Sequence, residues 1–145
     1  MTSGARRIYL IIAAFAIAGI AVSSVSLYHH YGASKTSYCD FGESFNCDIV
    51  NRSTYSTVLG IPDALIGILG YGALLALATF YRARAETPVI LLLASVTGLG
   101  FALYLTYIEA FVLATWCILC LSSLSLIFLI TVLSSWLAAS SMRQK

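Results

Sequence analysis

Charge is what this chain has least of. Only 10% of its 145 residues are charged and 60% are hydrophobic, whereas an ordinary soluble domain carries about 25% charged residues. That balance excludes an ordinary soluble domain. The formal net charge of +2 calls for no nucleic-acid partner and serves mainly as a topology signal. Prolines number two, and both, Pro62 and Pro88, stand at the entry to an apolar run. Histidines also number two, the adjacent His29 and His30. Neighbours on a helix point about 100° apart, so they make a poor haem or metal pair and read as interfacial polar residues. No low-complexity segment and no internal repeat is evident.

What is present in abundance is apolar sequence in four runs. Ile8 to Leu27, Pro88 to Ile108 and Trp116 to Ala139 contain no charge, and Ile61 to Tyr81 contains only Asp63. Each run reaches the roughly 20 residues needed to cross a hydrocarbon core as a helix. The expected fold is an all-α membrane protein, a bundle of four transmembrane helices in a single domain spanning 1–145. The spans fall at about 8–28, 61–81, 88–109 and 116–139, with a long extracytoplasmic loop at 29–60 and no soluble domain attached.

Basic residues orient the bundle. Arg6 and Arg7 precede the first span, Arg82 and Arg84 follow the second, and Arg143 and Lys145 follow the fourth. With four spans these clusters share one side, which the positive-inside rule makes cytoplasmic. Lys35 and Arg52 fall in the long loop outside. A cleaved signal peptide is the rival for the N-terminus, from Arg6-Arg7 through the apolar run to Ala21-Val22-Ser23-Ser24. That run exceeds the usual apolar region of a signal peptide, which favours a retained first helix.

Local signals refine the boundaries. Ala14 and Ala18, then Gly19 and Ser23, repeat at four-residue spacing, and Gly67, Gly70, Gly72, Ala94 and Gly98 follow in later spans. Such residues let helix backbones approach closely in lipid. Thr87-Pro88 reads as an N-cap and first helical proline, Gly60-Ile61-Pro62 as the entry to the second span, and Thr115 as the cap of the fourth. The link at 110–114 is short. The 29–60 loop alone can fold over the bundle mouth, and Tyr55, Val58 and Leu59 suggest short interfacial helices within it.

The four cysteines divide between that loop, Cys39 and Cys47, and the start of the fourth span, Cys117 and Cys120. The charge-derived topology puts all four on the side where disulfides form. A CxxC pair places two sulfurs on one face of a helical turn, close enough to cycle between dithiol and disulfide. A helix N-terminus would stabilise a thiolate at Cys117, while Cys120 lies deeper and suits an oxidant or reductant dissolved in lipid. A loop pair can touch both a soluble protein and Cys117, as thiol–disulfide exchange along a relay requires. Static loop staples and a four-cysteine zinc site are the alternatives. The wide spacing of Cys39 and Cys47 is unlike the usual zinc ligand pattern.

Aromatic residues gather at the outer face, namely Tyr28, Tyr31, Tyr38, Phe41, Phe45, Tyr55, Tyr104, Tyr107, Phe111 and Trp116. Some could hold a flat quinone ring, but an interfacial belt accounts for most of them. Asp63 and Glu109 lie near the outer ends of spans. Glu109 is expected to reach headgroups or water. Asp63, at a helix start facing the loop, is the candidate to hydrogen-bond a ligand carbonyl.

Taken together, the chain resembles the vitamin K epoxide reductase family, including its bacterial quinone-linked thiol oxidases. The resemblance rests on Cys39-Asp40-Phe41-Gly42 leading to Cys47, on Ser53 six residues later, on Gly60-Ile61-Pro62 through Gly67, and on Trp116-Cys117-Ile118-Leu119-Cys120. It implies that Cys120 reacts with the quinone, that Cys117 is its resolving partner, and that Cys47 exchanges with Cys117. Cys39 would then face a thioredoxin-like partner, and Ser53 would lie near the quinone together with Asp63. Leu124 stands where vertebrate enzymes have a ligand-contacting tyrosine, which argues against vitamin K epoxide as substrate. Many bacterial members carry a fused thioredoxin-like domain, and this sequence shows none.

The expected function is therefore a quinone-dependent, disulfide-forming oxidoreductase. Electrons would pass from a periplasmic or lumenal thioredoxin-like protein through Cys39/Cys47 to Cys117/Cys120, and on to a ubiquinone, menaquinone or vitamin K type quinone. The protein would be a monomer in a bacterial or archaeal cell membrane, with cytoplasmic termini and no metal. The alternatives are a vitamin K epoxide and quinone reductase of an ER membrane, a relay between proteins without quinone, and a disulfide-stapled membrane scaffold.

Overall fold

A computed structural model describes residues 2–31, 50 and 54–145, apart from the His29 side chain. Cys39, Cys47, Ser53 and most of the expected 29–60 loop, with the aromatics Tyr38, Phe41 and Phe45, lie outside the described residues. The first helix, α1, runs Ser3–Tyr31, past the apolar run at both ends. A 3₁₀ turn, Thr54–Ser56, leads into two short strands, β1 (Thr57–Val58) and β2 (Ile61–Pro62). They pair antiparallel, Thr57 opposite Pro62 and Val58 opposite Ile61. Leu59 and Gly60 close the hairpin with φ of 54° and 83°, as a tight turn between twisted strands requires. Then follow α2 (Asp63–Thr79), α3 (Thr87–Tyr107) and α4 (Ile118–Arg143).

Other helix ends also depart from the sequence reading. Ile61 and Pro62 are drawn into the hairpin, so α2 begins at Asp63 with Pro62 as its N-cap. Glu86, not Thr87, caps α3, and Thr87 and Pro88 open the helix. The Thr87 hydroxyl donates instead to the Tyr81 carbonyl and ties down the 80–86 connection. The third helix does not stop at 109. It continues through a π-helical turn, Ile108–Leu113, ended by a left-handed Ala114 (φ 50°). Thr115 does not cap α4, because its hydroxyl donates to Leu113 O at 3.2 Å. Cys117, in an extended conformation, is the N-cap.

Among the described residues three helices are long and apolar enough to cross a membrane: α1, α3 with its π-helical turn, and α4. At 17 residues α2 is shorter, though equally apolar. Large apolar side chains such as Leu10, Ile17, Leu93, Val132 and Trp136 face outward. That surface is tolerable only where lipid covers it. The chain is a membrane protein.

The main apolar core runs along the bundle, including Ile12 and Ala16 of α1, Tyr71 and Leu74 of α2, Leu91 of α3, and Ile127 and Ile130 of α4. The small residues read as a packing signal do bring backbones together. A Cβ on Gly19 would sit 2.4 Å from the Tyr71 ring, and one on Gly67 would sit 2.7 Å from Ser23 Oγ. Helix α1 packs closely on α2 and α4, and α3 packs on α4. The seam between α2 and α3 is much looser, and a cavity lies against it.

Candidate functional site

The site is built where three chain ends meet at one mouth of the bundle. Asp63 is the first residue of α2, Cys117 and Cys120 open α4, and Glu109 belongs to the π-helical turn after α3. The turn folds the α3–α4 link back on itself. Thr115 N–H donates to Glu109 O at 3.1 Å, and Cys117 N–H donates to Glu109 Oε2 at 3.2 Å. Glu109 thus holds the start of α4 through both its backbone and its side chain.

A cavity of about 380 Å³ descends between the four helices from this mouth. Its walls are mostly apolar, with Leu74, Phe101, Leu105 and Ile127 among them. The polar groups facing it include Ser26, Asp63, Cys120 and Ser123. Tyr71 also lines the cavity, fixed by its hydroxyl to Ser123 O at 2.8 Å and Ser123 Oγ at 2.9 Å. Gly70 faces the same space with no atom near its absent Cβ. An apolar pocket with a few polar groups is the usual form of a small-molecule site.

The two cysteines of the CxxC pair face different ways. Cys120 lines the cavity. Cys117 is fully buried away from it and packs with Val50, a residue of the loop segment, together with Leu113 and Leu119. The two thiols lie within hydrogen-bonding reach of one another and are not joined in a disulfide. A helix N-terminus supplies unpaired amides to both, since Cys117 is the N-cap and Cys120 lies in the first turn. Asp63 is close enough to Cys120 and Glu109 to interact electrostatically with each, and His30 of α1 is close enough to act on Asp63. His30 Nδ1 also lies 3.4 Å from Ser56 Oγ.

Of the residues singled out in the sequence, the structure gathers Cys117, Cys120 and Asp63. Cys39, Cys47 and Ser53 fall outside the described residues. Tyr28, Tyr31, Tyr104, Tyr107 and Phe111 are exposed, as a belt requires and a pocket does not. The reading of Glu109 as a carboxylate reaching water is corrected, since only 1% of the residue is exposed. Its position in a π-helical turn, rather than past a helix end, turns it inward. Tyr71 and Ser123 were not singled out, and nothing local in the sequence marks their bond across 52 residues. Residues 10–135 match the family model described as the Vitamin K epoxide reductase family.

Proposed function

Because the chain belongs to the vitamin K epoxide reductase family, a family of membrane oxidoreductases, we propose that it oxidises protein thiols outside the cytoplasm at the expense of a membrane quinone. The observation that carries this reading is the opposed placement of the two CxxC sulfurs. Cys120 opens on the cavity, and Cys117 packs under the loop segment. One sulfur is set to meet a small molecule and the other to meet protein.

The cavity suits a quinone. About 380 Å³ of mostly apolar space falls within the range of small-molecule sites, and its polar end offers a sulfur and a carboxyl for a ring bearing carbonyl oxygens. Asp63 would hydrogen-bond such an oxygen, Tyr71 and Phe101 would flank the ring, and Ser53 would add a polar contact from the loop. When bound, the quinone supplies a two-electron acceptor.

The chain's own residues then act in a balanced sequence. A reduced thioredoxin-like partner exchanges with the Cys39–Cys47 disulfide, leaving the partner oxidised and the loop pair as thiols. Cys47 attacks Sγ of Cys117 in the Cys117–Cys120 disulfide, and Cys120 leaves beside the cavity and takes up the proton that Cys47 gives up, so that it stands there as a thiol. Cys39 attacks Cys47, which restores the loop disulfide and frees Cys117. The Cys117/Cys120 dithiol gives up two electrons and two protons, and its disulfide reforms. Cys47 precedes Val50 by three residues, a tether of at most about 11 Å, so the contact of Val50 with Cys117 supports the exchange step. A tether of that length would supply the proximity such exchange needs.

In this reading α2 is the fourth span. Its 17 residues reach the lower limit for a crossing helix, with the hairpin completing the passage to the outer face. The termini are cytoplasmic and the cysteines extracytoplasmic, following the basic residues, and the protein acts as a monomer in a bacterial or archaeal membrane.

The test follows ultraviolet absorbance of a soluble ubiquinone analogue while purified protein in detergent receives a reduced thioredoxin-like protein. Wild type consumes quinone and Cys120→Ser does not. Cys39→Ser fails with the protein donor but works with a small dithiol. Folded wild type that consumes neither ubiquinone nor naphthoquinone would instead favour a relay between proteins or a disulfide-stapled scaffold.

A further inference from the structure

Oxidation of a dithiol releases two protons as well as two electrons, and an apolar cavity offers little water to take them up. The thiol that must ionise there is Cys120. Beside it stands Glu109, 1% exposed, a carboxyl placed where burying charge is costly. Its Oε2 is occupied by the Cys117 N–H. Among the described residues its Oε1 has no regular hydrogen-bond partner, and the Cys120 thiol lies within reach of the carboxyl as a candidate donor. A carboxyl needed only to hold the start of α4 would not leave its second oxygen buried beside a reactive sulfur. π-Helical turns such as the one that carries Glu109 occur often at functional sites.

We infer that Glu109 is the proton acceptor for the Cys120 thiol. The S–H bond of Cys120 breaks as an O–H bond forms at Glu109 Oε1, with no change in oxidation state. The resulting thiolate is the species that gives up electrons at the cavity. Asp63 of α2 neighbours Glu109 and Cys120, and His30 of α1 neighbours Asp63, so the acquired proton has acidic and basic groups to pass to, toward the mouth. This inference rests on the proposed reaction of Cys120 with a quinone, but its test needs neither quinone nor partner.

A general base reveals itself in pH dependence. While Glu109 and Cys120 share one proton, the thiolate fraction set by that pair does not change with pH. Without the carboxyl, the thiolate fraction rises about tenfold per pH unit below the thiol's own pKa. Among the described residues the other titratable groups facing the pair are Cys117 of α4, Asp63 of α2 and, through Asp63, His30 of α1.

The experiment measures the rate at which iodoacetamide alkylates Cys120 in the reduced full chain, in detergent, between about pH 6 and 8. Mass spectrometry reads the product, and Cys117→Ser as background leaves one thiol of the pair. Glu109→Gln keeps an oxygen for the Cys117 N–H but cannot take a proton. It is expected to slow alkylation at neutral pH by about tenfold or more and to convert a flat pH profile into a rising one. An equal or faster rate in Glu109→Gln would overturn the inference, a faster one showing that the carboxylate keeps the thiol protonated. If Glu109→Gln does not fold, Glu109→Asp decides. Its shorter carboxyl should slow alkylation several-fold with the flat profile kept, and an unchanged rate sinks the inference. Failure of quinone consumption with the alkylation result intact would instead refute the proposed function alone.

Discussion

Replacing Gly19 by alanine should destabilise the bundle, against the ordinary expectation for a helix. Within a helix alanine is favoured over glycine by about 1 kcal/mol, so an open site would gain stability. At Gly19 the new Cβ falls 2.4 Å from Tyr71 Cδ1 and Cε1 and 2.6 Å from Cγ. Carbon atoms rest about 3.5–4.0 Å apart, so the ring would have to retreat by about 1 Å or more. It cannot do so freely, because Tyr71 is 5% exposed and its hydroxyl is held by Ser123 at 2.8 and 2.9 Å. Overpacking costs about 1–3 kcal/mol and loss of the hydroxyl bond about 0.6 kcal/mol. After the propensity gain the net loss is about 1–3 kcal/mol. Thermal unfolding in detergent, followed by circular dichroism, would show a lowered midpoint. Gly72→Ala, whose Cβ meets nothing within 4 Å, should raise it instead. A double-mutant cycle isolates the cause. In a Tyr71→Ala background the clash is gone, so Gly19→Ala should become neutral or stabilising. An equal cost in both backgrounds, or a stabilising single mutant, would refute the argument.

Other outcomes follow from the same geometry. Ser134 is fully buried and its hydroxyl has no hydrogen-bond partner among the described residues, so Ser134→Ala should stabilise by about 1 kcal/mol, read as a raised unfolding midpoint. Ser135, whose hydroxyl donates to Thr131 O at 2.8 Å, should show no such gain. Tyr71→Phe removes the bonds to Ser123 and should cost about 0.6 kcal/mol, the average for polar contacts between membrane helices, checked by the same melt. In the proposed exchange order, Cys39→Ser would remove the thiol that resolves a Cys47–Cys117 intermediate. That mixed disulfide should accumulate in non-reducing peptide mass maps, and its absence would argue against the proposed exchange order. Gly70→Ala puts a methyl group at the cavity wall without a clash. It should leave the melt unchanged or raised while increasing KM for the quinone analogue.

The apolar runs made the helices legible, because crossing lipid requires length and a near absence of charge, and both are countable. The ends were less legible. Thr115 and Thr87 carry the usual capping side chain, yet each hydroxyl donates to a nearby carbonyl, Leu113 O and Tyr81 O respectively. A side chain that can cap can equally bond backward, and the choice depends on how the turn is folded. The same limit explains Glu109. Counted along a regular helix, residue 109 lies at a polar end and faces water. Six residues of π-helix change the angular count and carry the side chain inward, and no composition signal in Ile108–Leu113 marks that change.

The spacing of Cys117 and Cys120 put both at one helix start, but it did not show that Cys120 faces the cavity while Cys117 packs with Val50. Both sit at one helix start, so spacing alone gives them the same surroundings. What separates them is the loose seam between α2 and α3, which leaves space beside Cys120, and the packing of Val50, which closes over Cys117. The cavity in turn depends on residues that carry no chemistry. Gly19 admits the Tyr71 ring, and Tyr71 reaches Ser123 on the same helix as Cys120. The small-residue stripe that reads as packing is therefore part of the site. It sets the distance between α1 and α2, and so how far the Tyr71 ring stands from the sulfur that faces the cavity. Gly19→Ala should for this reason alter KM for the quinone analogue in protein that remains folded, while leaving the alkylation rate of Cys120 near wild type. A KM equal to wild type in a folded Gly19→Ala protein would separate the packing stripe from the site.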